Sequence, residues 1–177
     1  MNLFLIGSRC TGKSSVGKSL SKKIGWPFID LDLKLVEEQG ATIADIVSRQ
    51  GWDAFREMER ALVQSICARD RHVVPTGGGV VLDENNVKDM KRSGILIWLK
   101  AAPETIRNRM LNDQGIKAQR PSLTSKGLLE EIDDTLVKRN PLYENAMDFF
   151  ILTDNYSVEE ICNIIMEKLN KGNYFYV

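Results

Sequence analysis

The stretch Gly7-Ser8-Arg9-Cys10-Thr11-Gly12-Lys13-Ser14 matches the G-x-x-x-x-G-K-[ST] pattern of a phosphate-binding P-loop. It follows an apolar, strand-like run at residues 3–6 and precedes a helical pattern, as a P-loop does. Its two glycines allow a tight turn whose backbone N–H groups face phosphate oxygens. Lys13 can reach the β- and γ-phosphates, and the Ser14 hydroxyl can bind Mg²⁺. The stretch predicts a nucleoside-triphosphate site, with a glycine turn that binds no nucleotide as the alternative.

Composition indicates one soluble domain. A chain of 177 residues with 43% apolar and 27% charged residues is long enough to bury a sizeable core. The 24 basic and 24 acidic residues cancel, so neither nucleic acid nor an anionic membrane is expected as a bulk partner. Any anion site must therefore be a local cluster of cationic residues.

Cysteine usage and the start of the chain predict a cytoplasmic protein. Cys10, Cys67 and Cys162 are odd in number, lie far apart, and are accompanied by a single histidine, His72. This pattern argues against a disulfide framework or a zinc site and favours a reducing compartment. The chain begins without a basic segment and turns polar by Ser8, so no signal peptide is expected, and no apolar run approaches the length of a membrane span.

Strand-like and helical patterns alternate along the chain. Strands are predicted at residues 3–6, 28–32, 73–75, 95–99 and 149–152. Besides the helix after the P-loop, helices are predicted to begin near Thr42, Gly51, Asn85, Pro103, Leu128 and Ser157, with Pro141 ending the fifth of these. Residues 111–124 are polar and aperiodic, which is typical of a mobile loop. The fold predicted is α/β: a doubly wound parallel sheet of about five strands with helices on both faces, binding ligands at the carboxyl ends of its strands.

Two carboxylates, Asp30 and Asp32, come at the end of the second predicted strand. Strand residues two apart share a face, so both carboxylates could enter one cleft. One could act on Mg²⁺ through water, and the other could orient and deprotonate an acceptor hydroxyl. The alternative is a helix N-cap pair without a chemical role.

Three consecutive glycines and three arginines complete the set of candidate residues. Gly77-Gly78-Gly79 follows a predicted strand and permits close backbone approach to a ligand, although a flexible turn has the same composition. Arg56, Arg120 and Arg139 carry planar forks that suit carboxylate or phosphate. A single surface arginine, considered alone, is more often only solvated.

Together these features resemble the shikimate kinase family, from Gly7 to about Leu152. The motifs that carry the resemblance are GSRCTGKS, FIDLD at 28–32, IADI at 43–46, FREME at 55–59, the triple glycine, the Arg120-Pro121 pair and KRNPLY at 138–143. The resemblance implies a P-loop kinase fold in one domain, residues 1–177, with a substrate-binding segment at about 32–62 and a lid at about 111–124. It also implies transfer of the ATP γ-phosphate to the 3-hydroxyl of shikimate, with Mg²⁺, by an enzyme expected to be a monomer.

The resemblance assigns roles residue by residue. Lys13, Asp32 and Arg120 are implied as catalytic, with Arg120 carried by the lid. The residues implied for ATP are Gly7, Cys10, Thr11, Gly12, Lys13, Ser14, Ser15, Arg109 and Arg120, and those for Mg²⁺ are Ser14 and Asp30. The residues implied for shikimate are Asp32, Arg56, Gly78, Gly79 and Arg139. Glu59, one helical turn from Arg56, is expected to hold that guanidinium in place.

The sequence departs from the family pattern in places, and other functions stay open. Cys10 stands where the family usually has glycine, and Ser122 follows Arg120-Pro121 where leucine is usual. Cys10 is either an inert small residue or a reactive thiol close to Lys13. A kinase acting on gluconate or a nucleoside monophosphate would share the P-loop and lid. A nucleotide-gated binding module without catalysis is the alternative from a different class.

Overall fold

A parallel sheet lies at the centre of the computed structural model, which describes residues 1–112 and 131–172. Its strands within these ranges are β1 (Asn2–Ile6), β2 (Val73–Pro75), β3 (Gly94–Lys100) and β4 (Phe149–Leu152). The helices within the same ranges are α1 (Lys13–Ile24), α2 (Leu31–Gln39), α3 (Ile43–Cys67), α4 (Glu84–Ser93), α5 (Pro103–Asn112), α6 (Glu131–Ala146) and α7 (Val158–Lys171), with a 3₁₀ turn at Val80–Leu82.

The sheet order is β2-β1-β3-β4, and every pairing is parallel. Leu5 of β1 lies opposite Pro75 on one side and Ile97 on the other, so the carboxyl ends of three strands meet at one edge. The P-loop leaves β1 at this edge, and the triple glycine leaves β2 beside it. The fold therefore brings two glycine-rich loops together, as expected for ligands bound at the carboxyl ends of parallel strands.

Both faces of the sheet are covered by helices. In β1 the side chains alternate: Phe4 and Ile6 join an apolar cluster with residues of α2, α3 and α6, and Leu3 and Leu5 join one with residues of α1 and α7. All four side chains are fully buried. The doubly wound α/β fold predicted from the alternating pattern is confirmed, because a strand covered on both faces reads as an unbroken apolar run.

The prediction of about five strands, including one at residues 28–32, is not met in the described part of the chain, which has four. Phe28 makes only a single parallel bridge to Val73. The Asp30 carboxylate accepts hydrogen bonds from the N–H groups of Asp32 and Leu33, at 3.1 and 3.3 Å, and so caps α2. This cap ends the extended chain after Ile29, because the capping carboxylate satisfies the free N–H groups of a helical turn. Asp30 is therefore an N-cap residue, as that alternative predicted, while its second carboxylate oxygen accepts from Ser14 Oγ.

The prediction that Pro141 ends its helix is wrong, because α6 continues to Ala146. An interior proline costs a helix about 3 kcal/mol. Beyond it, Tyr143 is fully buried and Ala146 nearly so. Burying an aromatic side chain of about 150 Å² or more is favourable by about 4 kcal/mol at about 25 cal/mol/Å². Burial on the core side of α6 therefore offsets the lost backbone hydrogen bond.

Several predicted helix boundaries are confirmed. Gly25 ends α1 in the left-handed conformation at φ 71°. Thr42 and Ser157 each form a capping box, at the starts of α3 and α7. Gly51, at φ 83°, interrupts α3, so a second helical segment begins there as expected.

The predicted lid at 111–124 falls almost entirely outside the described residues. Leu111 and Asn112 belong to α5, and residues 113–130, including Arg120, are not described. None of the described helices is both long enough and apolar enough to cross a membrane.

Candidate active site

The P-loop is held in shape by hydrogen bonds to its own carbonyl groups. Lys13, the first residue of α1, donates from Nζ to Gly7 O at 2.8 Å and to Ser8 O at 2.6 Å. Thr11 Oγ1 donates to Ser8 O at 3.0 Å. The loop leads into the N-terminus of α1, whose first N–H groups lack intrahelical partners and attract anions. Loop, lysine and helix terminus together form a phosphate-binding arrangement.

Three residues of this loop have positive φ angles. Gly7 (φ 137°) has no room for a side chain, because a Cβ atom there would collide with Leu99 O of β3, and Gly12 lies at φ 90°. Cys10 is at φ 60°, in the left-handed region, where a side chain costs roughly 1–2 kcal/mol. Its half-buried side chain packs against a small apolar cluster from α5 and α6. The backbone therefore explains why glycine suits this position, and the packing explains how cysteine is accommodated.

Ser14 and Asp30 form a pair at the mouth of the P-loop. Ser14 Oγ donates to Asp30 Oδ2 at 2.5 Å, while Asp30 Oδ1 caps α2. A hydroxyl and a carboxylate oxygen are hard ligands, and Mg²⁺ commonly takes one or two such protein ligands and completes its shell with water and phosphate oxygens. No group of three or more His, Cys, Asp or Glu side chains suited to a metal ion occurs in the described ranges. The pair therefore fits Mg²⁺ held jointly with a nucleotide.

A cleft that is open to solvent lies beside the P-loop. It brings together residues from the P-loop, α2, α3, α6 and the triple glycine. Its lining includes all five residues predicted for the acceptor, namely Asp32, Arg56, Gly78, Gly79 and Arg139. Residues far apart in sequence thus face one space, which is lined by three arginines and two carboxylic acids.

Arg56 is fixed from several sides. Its Nη1 donates to Glu59 Oε2 at 2.5 Å, which agrees with the expected pairing. Its Cζ lies 5.5 Å from the Trp52 ring centroid and 5.1 Å from that of Phe55. Cation–π contacts and a charged hydrogen bond together restrict the guanidinium to one orientation. The remaining N–H donors are therefore presented in a fixed direction.

The triple glycine is closely packed and does not have the surroundings of a flexible turn. A Cβ on Gly77 would lie 2.7 Å from Glu59 Oε1 and 2.8 Å from Asp32 Oδ1, and one on Gly79 would lie 2.6 Å from Arg56 Cζ. Any side chain would therefore displace the charged groups of the cleft. Glu59 is only 4% exposed, and burial raises the pKa of its carboxyl against the opposing charge of Arg56.

Arg139 and Tyr143 hold the middle glycine from α6. Arg139 Nη1 donates to Gly78 O at 3.1 Å, and the Tyr143 hydroxyl donates to the same oxygen at 2.5 Å. The Tyr143 ring is fully buried and stacks on Trp98, with centroids 5.7 Å apart. Burial raises the pKa of Tyr143 to about 12, so its hydroxyl remains a donor at ordinary pH.

A second cleft, also open to solvent, is lined by the P-loop, α5 and the residues that follow β4. Arg109 fixes one wall: its Nη1 donates to Cys10 O at 3.2 Å and to Thr153 Oγ1 at 3.0 Å, and its Nη2 donates to Thr153 O at 2.6 Å. The lining includes the residues predicted for the nucleotide at Cys10, Thr11, Gly12, Ser15 and Arg109. This cleft therefore adjoins the P-loop at Cys10, Thr11 and Gly12.

Sequence reasoning missed Arg9 and Trp52 in the first cleft and Thr153 and Tyr156 in the second. It also missed Tyr143, which lines neither cleft but donates to Gly78 O. Helical spacing could have found two of them, since Trp52 precedes Arg56 by four residues and Tyr143 follows Arg139 by four. Thr153 and Tyr156 follow the carboxyl end of β4, where ligands of such sheets bind. Arg9 occupies a variable position of the P-loop pattern and gave no signal.

Comparison with known proteins identifies the family. A family model described as shikimate kinase matches residues 9–170. The chain belongs to the shikimate kinase family. A shikimate kinase of Syntrophus aciditrophicus is 38% identical over 181 residues, covering 98% of this chain and 93% of the relative. Members of this family are ATP-dependent kinases, so the chain is an enzyme and a phosphotransferase.

Solved structures of shikimate kinases agree with the fold. One from Acinetobacter baumannii, in complex with shikimate, has a TM-score of 0.90 and 27% identity, covering 97% of this chain and 93% of that one. One from Bacteroides thetaiotaomicron has a TM-score of 0.86 and 29% identity, covering 96% and 98% of the two chains. The shikimate kinase fold therefore extends over almost the whole chain.

Proposed function

We propose that this enzyme transfers the γ-phosphate of ATP to the 3-hydroxyl of shikimate, giving shikimate 3-phosphate and ADP for aromatic amino acid biosynthesis. The observation that carries the proposal is the acceptor cleft, where two arginines and an aspartate surround the triple glycine next to the P-loop. Membership in the shikimate kinase family and a solved relative bound to shikimate support the choice of acceptor.

Arg56 and Arg139 are proposed to bind the shikimate carboxylate. Shikimate is a small carboxylated polyol, and planar guanidinium groups pair with carboxylates through parallel N–H donors. Both side chains line the cleft and are held by further contacts, Arg56 by Glu59 and Arg139 by Gly78 O. Fixing the forks before binding reduces the conformational entropy lost when the carboxylate binds.

Asp32 is proposed to receive the acceptor hydroxyls. It lies in the first turn of α2, is 9% exposed and lines the cleft with the two arginines. Its carboxylate can orient the 3-hydroxyl and take up the proton as that oxygen bonds to the γ-phosphorus and the bond to the ADP oxygen breaks. Gly78 and Gly79 would close the cleft over the ring through their backbone.

The P-loop is proposed to bind the donor. Lys13 would contact the β- and γ-phosphates, and the N–H groups of residues 7–15 would surround the phosphate oxygens. Ser14 and Asp30 would hold Mg²⁺, which when bound neutralises charge on the β- and γ-phosphate oxygens. Arg109 would contact the face of the adenine, a role supported by its fixed position in the second cleft.

Arg120, outside the described residues, is proposed to reach the transferring phosphoryl group from the lid. Phosphoryl transfer depends on positioning and charge neutralisation more than on covalent chemistry, and an arginine that contacts the transferring group would contribute to both. A lid would also exclude water, which competes with shikimate as the acceptor and would hydrolyse ATP.

We further propose a cytoplasmic monomer with no nucleic-acid or membrane partner. The five residues proposed for the acceptor line one cleft within one chain. Cys10, Cys67 and Cys162 form no disulfide with one another, which suits a reducing compartment.

A coupled assay of ADP release, with shikimate, gluconate and AMP offered in parallel, tests the proposal. We expect MgATP turnover that depends on shikimate, with no comparable turnover on the other two acceptors. Turnover on gluconate or AMP without turnover on shikimate would overturn it. ATP binding without turnover on any of the three would instead favour the nucleotide-gated module.

A further inference from the structure

We infer that Tyr143 is a positioning residue for the acceptor: its hydroxyl fixes the Gly78 carbonyl and, through it, the Arg139 guanidinium and the peptide that joins Gly78 to Gly79. The inference rests on the proposed function, because it concerns how shikimate is aligned. Tyr143 itself is not among the residues that line the acceptor cleft.

The Gly78 carbonyl is the point at which the three groups meet. Its oxygen accepts from Arg139 Nη1 at 3.1 Å and from the Tyr143 hydroxyl at 2.5 Å. The described peptides are all trans, so the Gly79 N–H points opposite to the Gly78 carbonyl in the same rigid plane. Fixing the carbonyl therefore fixes the direction of the Gly79 N–H.

Glycine makes this restraint necessary. A peptide between two glycines has more accessible conformations than any other, so it would not keep one orientation unaided. Arg139 alone would supply a single donor, from a side chain with several rotatable bonds. A second donor on a rigid, buried ring limits both the peptide and the arginine that shares its acceptor.

The Tyr143 ring is itself held close to the P-loop, through Trp98. It stacks on Trp98, and Trp98 Cδ1 lies 3.3 Å from where a Cβ on Gly7 would be. A Cβ on Gly78 would lie 3.5 Å from Gly7 O. The triple glycine and the P-loop are therefore in close contact. Tyr143 stacks on Trp98, which itself packs beside the P-loop.

The test is Tyr143→Phe, which keeps the ring and its stacking but removes the hydroxyl. We expect the KM for shikimate to rise about five- to tenfold, the loss associated with one buried hydrogen bond, with a smaller change in kcat and the KM for ATP within about twofold. An unchanged KM for shikimate would overturn the inference.

A destabilised variant far from the site serves as the control. Asn2 is fully buried at the opposite end of β1, where its Nδ2 donates to Arg69 O at 2.9 Å and its Oδ1 accepts from the His72 N–H at 3.0 Å. Asn2→Ala should lower Tm without changing the KM for shikimate. If Asn2→Ala raises that KM as much as Tyr143→Phe does, destabilisation explains the effect and the inference fails.

A double-mutant cycle with Arg139→Lys asks whether Tyr143 acts through Arg139 and Gly78. Because the lysine lacks the planar fork, we expect Tyr143→Phe to raise the dissociation constant of shikimate less in the Arg139→Lys background than in the wild type. Equal effects in both backgrounds would contradict the proposed coupling.

Amide hydrogen exchange of the wild-type enzyme keeps the inference testable if Tyr143→Phe does not fold. Residues 77–82 should exchange slowly without shikimate, because the held loop opens rarely. Exchange as fast as in an unstructured peptide would overturn the inference. These failures differ from failure of the proposed function, in which the wild-type enzyme itself would not phosphorylate shikimate.

Discussion

Ser14 Oγ donates a hydrogen bond to Asp30 Oδ2 at 2.5 Å, and this bond joins the start of α1 to the start of α2. The other oxygen of Asp30 accepts from the N–H of Asp32. One carboxylate therefore connects the proposed metal site of the donor to the helix that carries the proposed base for the acceptor. Any movement of Asp30 should therefore affect both the proposed Mg²⁺ site and the position of Asp32.

Ser14→Ala should lower kcat by roughly ten- to hundredfold and raise the Mg²⁺ concentration needed for half-maximal activity, because one oxygen ligand is lost. A titration of activity against Mg²⁺ at saturating ATP and shikimate measures both. Ser14→Thr retains the hydroxyl and is the matched control. An unchanged Mg²⁺ requirement in Ser14→Ala would contradict the assignment.

Asp32→Asn should reduce kcat by about 10²–10⁴-fold while leaving ATP binding nearly intact, because the carboxylate addresses the acceptor and not the nucleotide. Steady-state kinetics give the first quantity, and calorimetric titration with MgATP gives the second. Loss of nucleotide binding together with activity would show that Asp32 supports the donor site.

Arg139→Ala should chiefly raise the KM for shikimate, by about 30-fold or more, since removing one partner of a desolvated charge pair costs about 2 kcal/mol or more. The KM for ATP should change little. Kinetics with each substrate varied in turn separate the two effects. If neither KM nor kcat changes, the carboxylate is bound elsewhere.

Glu59→Gln should change how stability depends on pH. Burial raises the pKa of Glu59 above its ordinary value of 4.5, so ionising it is less favourable in the folded than in the unfolded enzyme. Its contribution to stability therefore falls as pH rises from about 4.5 through the higher folded-state pKa. The Tm of Glu59→Gln relative to wild type should increase between pH 4.5 and 7.

Thermal melts across this range provide the measurement. Glu57→Gln, which removes an exposed carboxylate from the same helix, is the matched control. A Tm difference for Glu59→Gln that decreases with rising pH would mean that pairing with Arg56 outweighs burial of the Glu59 carboxyl.

The sequence predicted what local patterns determine. The P-loop, the capping boxes at Thr42 and Ser157 and the apolar strand β3 follow from spacing and periodicity, and the structure confirms them. Prediction from the sequence failed where one local pattern fits two different structures. Asp30-x-Asp32 fits both a strand end and an N-cap, and only the hydrogen bonds to the following N–H groups decide between them.

Tertiary contacts account for the rest. The helix containing Pro141 continues because Tyr143 is buried against Trp98. The two residues are too far apart in sequence for a local pattern to predict this contact. The close packing of Gly77 against Glu59 and Asp32 likewise joins residues from three separate segments. Such contacts could be anticipated only through the resemblance to a family.

The most direct test of the central claim is ³¹P NMR of the product formed from MgATP and shikimate, with the position of the phosphate read from its coupling to the ring protons. The proposed function predicts a new phosphomonoester resonance coupled to the proton on carbon 3, appearing together with ADP. ADP without a new phosphomonoester, or a phosphate on another carbon, would contradict it.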